Sequence, residues 1–127
     1  MNLWYLTLEK PPFTPPPSYF PIAWTILYIM MGISFFTIIM QPATKQKYVA
    51  VNLFLVQLIL NLLWSYIFFE LQSITYALID VILLLIFLVA TIIYFFKLSK
   101  LAGFLLIPYL LQVIFATYLN IGLAILN

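Results

Sequence analysis

Polar positions are sparse along this chain, and they fall in clusters. After residue 17 the sequence is apolar almost to its end, interrupted chiefly at Gln41-Pro-Ala-Thr-Lys-Gln-Lys47, Glu70-Leu-Gln-Ser73 and Lys97-Leu-Ser-Lys100. The interruptions leave four apolar runs, roughly 18–40, 48–69, 74–96 and 101–126. Each run meets the requirement of about 20 residues for a helix to cross a hydrocarbon core about 30 Å thick. Connections this short make consecutive helices antiparallel neighbours. The pattern predicts an all-α membrane protein, a single domain over 1–127 built as an antiparallel bundle of four transmembrane helices. Ser18 is the expected N-cap of the first helix. Pro108 leaves a carbonyl near Phe104 without its intrahelical partner and predicts a kink in the fourth helix.

Residues 1–17 read differently. Six of the eight prolines lie between positions 11 and 21, so Lys10-Pro-Pro-Phe-Thr-Pro-Pro-Pro17 cannot be regular helix. It is expected to form a stiff arm and rim at one end of the bundle, with Lys10 and Phe13 facing the ligand space. Trp4 and Tyr48 suit the membrane interface, where amphipathic rings accumulate.

Within the apolar runs, aromatic and amide side chains recur at helical spacing. The first helix carries Trp24, Tyr28, Met31 and Phe35, and the second Phe54, Gln57, Asn61, Trp64 and Phe68. The third carries Tyr76, Asp80, Phe87 and Thr91, and the fourth Tyr109, Gln112, Ala116 and Asn120. Polar side chains on a membrane helix face the bundle interior. Turned inward, these stripes would enclose a space lined by rings with few polar groups, which suits a flat, mostly apolar ligand. The competing reading is packing: aromatic stripes fill cores, and Gln57, Asn61, Gln112 and Asn120 serve as interhelical hydrogen bonds of about 0.6 kcal/mol each. Asp80 is a proton or cation site, a hydrogen-bond anchor for the pocket, or a carboxyl that bonds Asn61, Gln112 or a Tyr and holds the bundle together.

Composition removes most other chemistry. Of 127 residues, 67% are apolar and 6% charged, against roughly 25% charged in a soluble domain. There is no His, no Cys and no Arg, which leaves no disulfide, no ordinary zinc or haem ligand set and no bidentate anion clamp. No catalytic or metal-binding constellation is visible, so an enzyme is not expected. A net charge of +2 argues for no nucleic-acid partner. Four of the five lysines sit in the 41–47 and 97–100 loops, which places both in the cytoplasm and puts the arm and the C-terminus outside. No cleavable leader is expected ahead of the first helix.

Several of these residues together form a recognisable pattern. Trp4-Tyr5, Lys10-Pro-Pro-Phe-Thr-Pro-Pro16, Trp24-Thr-x-Leu-Tyr28, Gln57-Leu-x-Leu-Asn61-x-x-Trp64-Ser65-x-x-Phe68-Phe69 and Pro108-Tyr109-x-x-Gln112-x-x-Phe115-Ala116-x-Tyr118-Leu119-Asn120 resemble the TspO, translocator protein or peripheral-type benzodiazepine receptor family. The resemblance is collinear over nearly the whole chain. It implies a helical bundle of a bacterial or archaeal membrane that binds tetrapyrroles such as protoporphyrin, sterols or benzodiazepine-type molecules, commonly as a homodimer. It also implies that Trp24, Asn61 and Trp64 face the pocket and that Ala116 is a small position limiting access to it. The family has five spanning helices, and this chain begins at the segment that follows the first. Gln112 stands where many bacterial members carry a second pocket tryptophan, and no Lys or Arg follows Tyr118 to complete the proposed cholesterol motif.

The sequence thus points to a binding protein for flat lipophilic ligands, a porphyrin among them, acting as a sensor or transport accessory with no required cofactor. The ligand set is Trp24, Tyr28, Gln57, Asn61, Trp64, Gln112 and Ala116. Two other readings remain at this stage: a small proton-coupled exporter of lipophilic cations using Asp80, and a ligand-free membrane scaffold.

Overall fold

The computed structural model describes residues 3–16 and 18–127; Met1, Asn2 and Pro17 of the arm lie outside the described residues. A single helical turn, α1 (Leu3–Leu6), is followed by the proline segment and then by α2 (Tyr19–Ile39). Helix α3 (Lys45–Ser65) passes into a π-helical turn, Tyr66–Glu70. Helix α4 is Ile74–Leu98, and the last run is split into α5 (Lys100–Leu105) and α6 (Ile107–Leu126). Among the described residues, four stretches are long and apolar enough to span a membrane: Tyr19–Ile39, Lys45–Glu70, Ile74–Leu98 and Lys100–Leu126.

The boundaries follow local chemistry. Ser18 does precede α2, but its side chain makes no capping bond, because the residue is itself in helical conformation. Pro21 is tolerated there because its missing N–H falls in the first turn. Helix α3 starts three residues before the sequence pattern suggests. Thr44 is the cap, its Oγ1 accepting from the Lys47 N–H at 3.2 Å. Lys45 and Lys47 therefore belong to the helix, and Lys47 Nζ turns back to the carbonyls of Ile39 and Gln41 at 2.8 and 2.9 Å. A cation on the free carbonyls that end α2 is favourable for the helix dipole. Pro108 breaks the fourth span as expected: the Leu106 N–H turns to Gly103 O at 3.2 Å, and regular helix resumes at Ile107.

Helix α4 is the centre of the bundle, packed against α3, α5 and α6. Its buried stripe is Ala77, Asp80, Val81, Leu84, Leu88, Thr91, Ile92 and Phe95. Tyr76, expected to face inward, is 67% exposed and points out, and Phe87 is only partly buried. A helix apolar on every side gives no contrast from which its inner face can be read. Helix α2 lies on α5, fixed by a buried Ser34 Oγ that donates to Ala102 O at 2.7 Å. Phe35, Phe54 and Phe95 stack across α2, α3 and α4 with centroids 4.6 and 5.8 Å apart.

The arm lies on the end of α6. Glu9 N–H donates to Asn127 Oδ1 and Asn127 Nδ2 to Glu9 O, while Tyr118 Oη donates to Pro12 O. Pro11 sits where a Cβ on Gly122 would be, 2.6 Å from its ring carbons, so a glycine is what lets the arm approach. Trp4, half-buried, packs edge-on against Phe68 at 5.2 Å. Tyr48 is exposed, as an interface anchor would be.

Candidate functional site

A cavity of about 470 Å³ lies between the upper halves of the helices, beneath the arm. That is within the roughly 300–1,000 Å³ usual for small-molecule sites. Helix α2 contributes Trp24 and Tyr28, α3 contributes Asn61 and Trp64, and α6 contributes Gln112, Ala116 and Asn120. Val81 and Leu84 of α4 line it too. Tyr5 of α1 reaches in from the arm, and exposed Pro21 and Glu70 mark its mouth. The residues expected from three separate stripes therefore meet on one space.

The rings are arranged as walls. Trp24 is tilted over Tyr28 at 5.7 Å and meets Tyr109 edge-on at 6.0 Å. Trp64 stacks on Phe68 at 4.9 Å with planes 16° apart. The π turn sets Glu70 beside Phe69 on the same wall: the Leu71 N–H bonds Tyr66 O at 3.1 Å, five residues back, and the wider turn shifts the helical register.

The amides hold these walls in place. Tyr28 Oη donates to Asn61 Oδ1, Asn61 Nδ2 donates to Tyr109 Oη at 2.9 Å, and Tyr109 Oη donates to Gln57 Oε1 at 2.7 Å. Trp64 Nε1 donates to Asn120 Oδ1 at 2.9 Å, and Asn120 Nδ2 donates to Ile74 O at 3.1 Å. Tyr19 Oη donates to Gln112 Oε1 at 2.6 Å. Most of the amide capacity is thus spent within the bundle, and apolar contact and ring stacking are left as the main means of holding a ligand.

Four residues expected at the site stand apart from its lining. Gln57 is fully buried one turn from Asn61 and does not touch the cavity. Phe13 is 88% exposed with φ of 67°, so its ring turns away from the bundle. Lys10 Nζ bonds Leu8 O at 3.1 Å and lies 4.8 Å from the Tyr5 ring centroid, on a ring that lines the cavity rather than in the cavity itself. Asp80 is buried, with Oδ2 lacking a hydrogen-bond partner among the described residues, and it is not part of the lining. Asn61 and Gln112 bond tyrosines instead of Asp80. Sequence reasoning missed Tyr5 and Glu70. The hydroxyl of Tyr5 is pushed above its ordinary range by burial, so it stays neutral at the cavity wall.

The TspO/MBR family matches residues 1–126. The chain is 46% identical over 125 residues to the "Tryptophan-rich protein TspO" of Chlorobaculum tepidum, covering 98% of this chain and 79% of that one. The protein of the same name from Archaeoglobus fulgidus is 42% identical over 127 residues, covering 100% of this chain and 82% of its own length. The "Translocator protein" of Homo sapiens is 34% identical over 119 residues, 92% of this chain and 70% of that protein. This is an integral membrane protein with four spans among the described residues, and the chain belongs to the TspO/MBR family.

Proposed function

We propose that this chain is a non-enzymatic binding protein for tetrapyrroles and other flat lipophilic molecules, acting as a sensor or transport accessory. The observation that carries the reading is the convergence of Trp24, Tyr28, Trp64 and Ala116 on one apolar cavity of about 470 Å³. A flat ring would lie along the Trp64–Phe68 stack, with Trp24 and Tyr28 on the opposite side. Ala116 leaves the room. Names of two relatives describe them as tryptophan-rich TspO proteins, and that of a third as a translocator, which agrees with a binding or transport role.

Titration with a porphyrin in non-ionic detergent, read from the Soret band, tests this. The expected result is a shifted band that saturates at one ring per chain. A shift that grows linearly with added ring would reflect partition into detergent and would remove the proposal.

The same reading places the two lysine-bearing ends, at Lys45–Lys47 and Lys97–Lys100, in the cytoplasm, with the arm, the cavity mouth and the C-terminus outside. With no native cysteine, single cysteines report sidedness cleanly. In intact cells a membrane-impermeant maleimide is expected to label Gln72→Cys and spare Ala43→Cys. The reverse pattern would invert the topology. A homodimer, which the family resemblance implies, belongs to the same proposal.

A further inference from the structure

Tyr28 borders two spaces. On one side of it is the cavity, and on the other is a smaller crevice of about 270 Å³ between α2 and α3. Gly32 and Phe35 of α2 and Phe54, Leu55 and Leu58 of α3 line the crevice, and among the described residues Tyr28 alone lines both spaces. Apart from the Tyr28 hydroxyl the crevice is apolar, and it lies about halfway along both helices, at the depth of the hydrocarbon. Gly32 and Leu55 are exposed, so it opens on the side that faces lipid. The seam between α2 and α3 is closed at two levels and open between them. Nearer the lysine-bearing end, Phe35 stacks on Phe54 with centroids 4.6 Å apart. Nearer the arm, the Tyr28 hydroxyl donates to Asn61 Oδ1. Gly32 lies about one turn from each closure, and a Cβ built there would meet nothing within 4 Å.

We propose that the α2–α3 seam is a lateral portal, through which a flat lipophilic ligand passes between the bilayer and the cavity, with Tyr28 as its gate. The inference rests on the reading that the cavity takes such a ligand, and adds the route by which it arrives. An apolar ring concentrates in hydrocarbon rather than in water, so the supply lies at the side of the bundle. The end of the bundle is roofed by the arm, which is held to α6 by the bonds between Glu9 and Asn127 and between Tyr118 and Pro12. Two helices can part without exposing unpaired backbone to lipid, because their backbone hydrogen bonds are internal. Opening here breaks one side-chain bond across the seam, Tyr28 to Asn61, and Asn61 keeps its bond to Tyr109. The missing side chain at Gly32 leaves the width that a passing ring needs.

Exchange kinetics test this. The probe is a porphyrin with uncharged alkyl arms, and its binding in non-ionic detergent is followed by stopped-flow quenching of tryptophan emission. Gly32→Phe plugs the crevice without altering the cavity lining, and Gly32→Leu plugs it less. Association and dissociation are both expected to slow by at least about tenfold in Gly32→Phe and by less in Gly32→Leu, because a raised barrier on one route slows entry and exit alike and leaves the equilibrium affinity unchanged. Tyr28→Phe, which removes the bond across the seam, is expected to speed both by about threefold, the worth of one interhelical hydrogen bond in a membrane. Joining Glu9→Cys to Asn127→Cys with a short bismaleimide fixes the arm and is expected to leave both rates as they are. Wild-type rates in both Gly32 variants, or slowing by the arm cross-link, would overturn the portal and leave the cavity reading standing. Failure of the porphyrin to saturate the wild type would take down the cavity reading and this inference together.

Discussion

Replacing Ala116 with phenylalanine is expected to lower porphyrin affinity by about a hundredfold or more while leaving the protein at least as stable. Ala116 lines the cavity from α6 and is only partly buried. A phenyl group there occupies the volume a ligand ring needs. Filling a cavity with apolar atoms is usually neutral or stabilising when the side chain finds an unstrained rotamer. The two effects therefore separate: ligand binding falls by roughly 3 kcal/mol, by the relation of 1.4 kcal/mol per tenfold, and thermal stability does not. Parallel titration and thermal unfolding in the same detergent check this. Unchanged affinity would mean that the ring lies elsewhere, and loss of both would mean that Ala116 is simply a packing position.

Tyr109→Phe is expected to do the opposite, destabilising the bundle first and the site through it. Tyr109 of α6 is completely buried, and its hydroxyl both accepts from Asn61 and donates to Gln57 of α3. Removing one oxygen leaves two buried partners incompletely bonded. An orphaned buried polar group costs about 1–3 kcal/mol in soluble proteins. Interhelical hydrogen bonds in membranes average nearer 0.6 kcal/mol, because the separated helices also find partners. Gln57 Nε2 already has no partner among the described residues, so Gln57 has little to fall back on. We expect a net loss of about 2 kcal/mol, between those limits. Asn61 would keep its bond from Tyr28, so the cavity wall loosens without dissolving. Unfolding in mixed detergent gives the stability change. A variant as stable as the wild type would show that the Gln57–Tyr109–Asn61 chain contributes nothing to the bundle.

The parts of this molecule that sequence made legible are those where chemistry contrasts with its surroundings. Four spans stand out because charges and prolines punctuate an otherwise apolar chain. Trp24, Asn61, Trp64, Gln112 and Ala116 stand out because amide and aromatic groups are rare enough at helical spacing to define a face. The inner face of α4 was not legible, since Leu84 and Leu88 inside and Ile82 and Ile86 outside are the same chemistry. The start of α3 was missed because Lys45 and Lys47 look like loop residues, although lysines at the end of a span are compatible with helix. Glu70 was expected only as part of the polar break between the second and third runs, because a regular α-helical period does not carry it to the wall; the wider π turn does. Tyr5 joins the site only through the tertiary clasp between arm and α6, formed by residues more than a hundred positions apart.

Everything rests on a flat ring lying between the Trp24 and Trp64 walls. The chain has only three tryptophans, so each can be isolated as the sole emitter while the ring is titrated. A chain retaining only Trp24 and one retaining only Trp64 are expected to be quenched strongly, with the same saturation point. The Trp24→Phe, Trp64→Phe double variant, which keeps Trp4 alone, serves as the comparison; Trp4 does not line the cavity, and its emission is expected to fall less. Saturating quenching of Trp4 with little response from Trp24 and Trp64 would contradict the account.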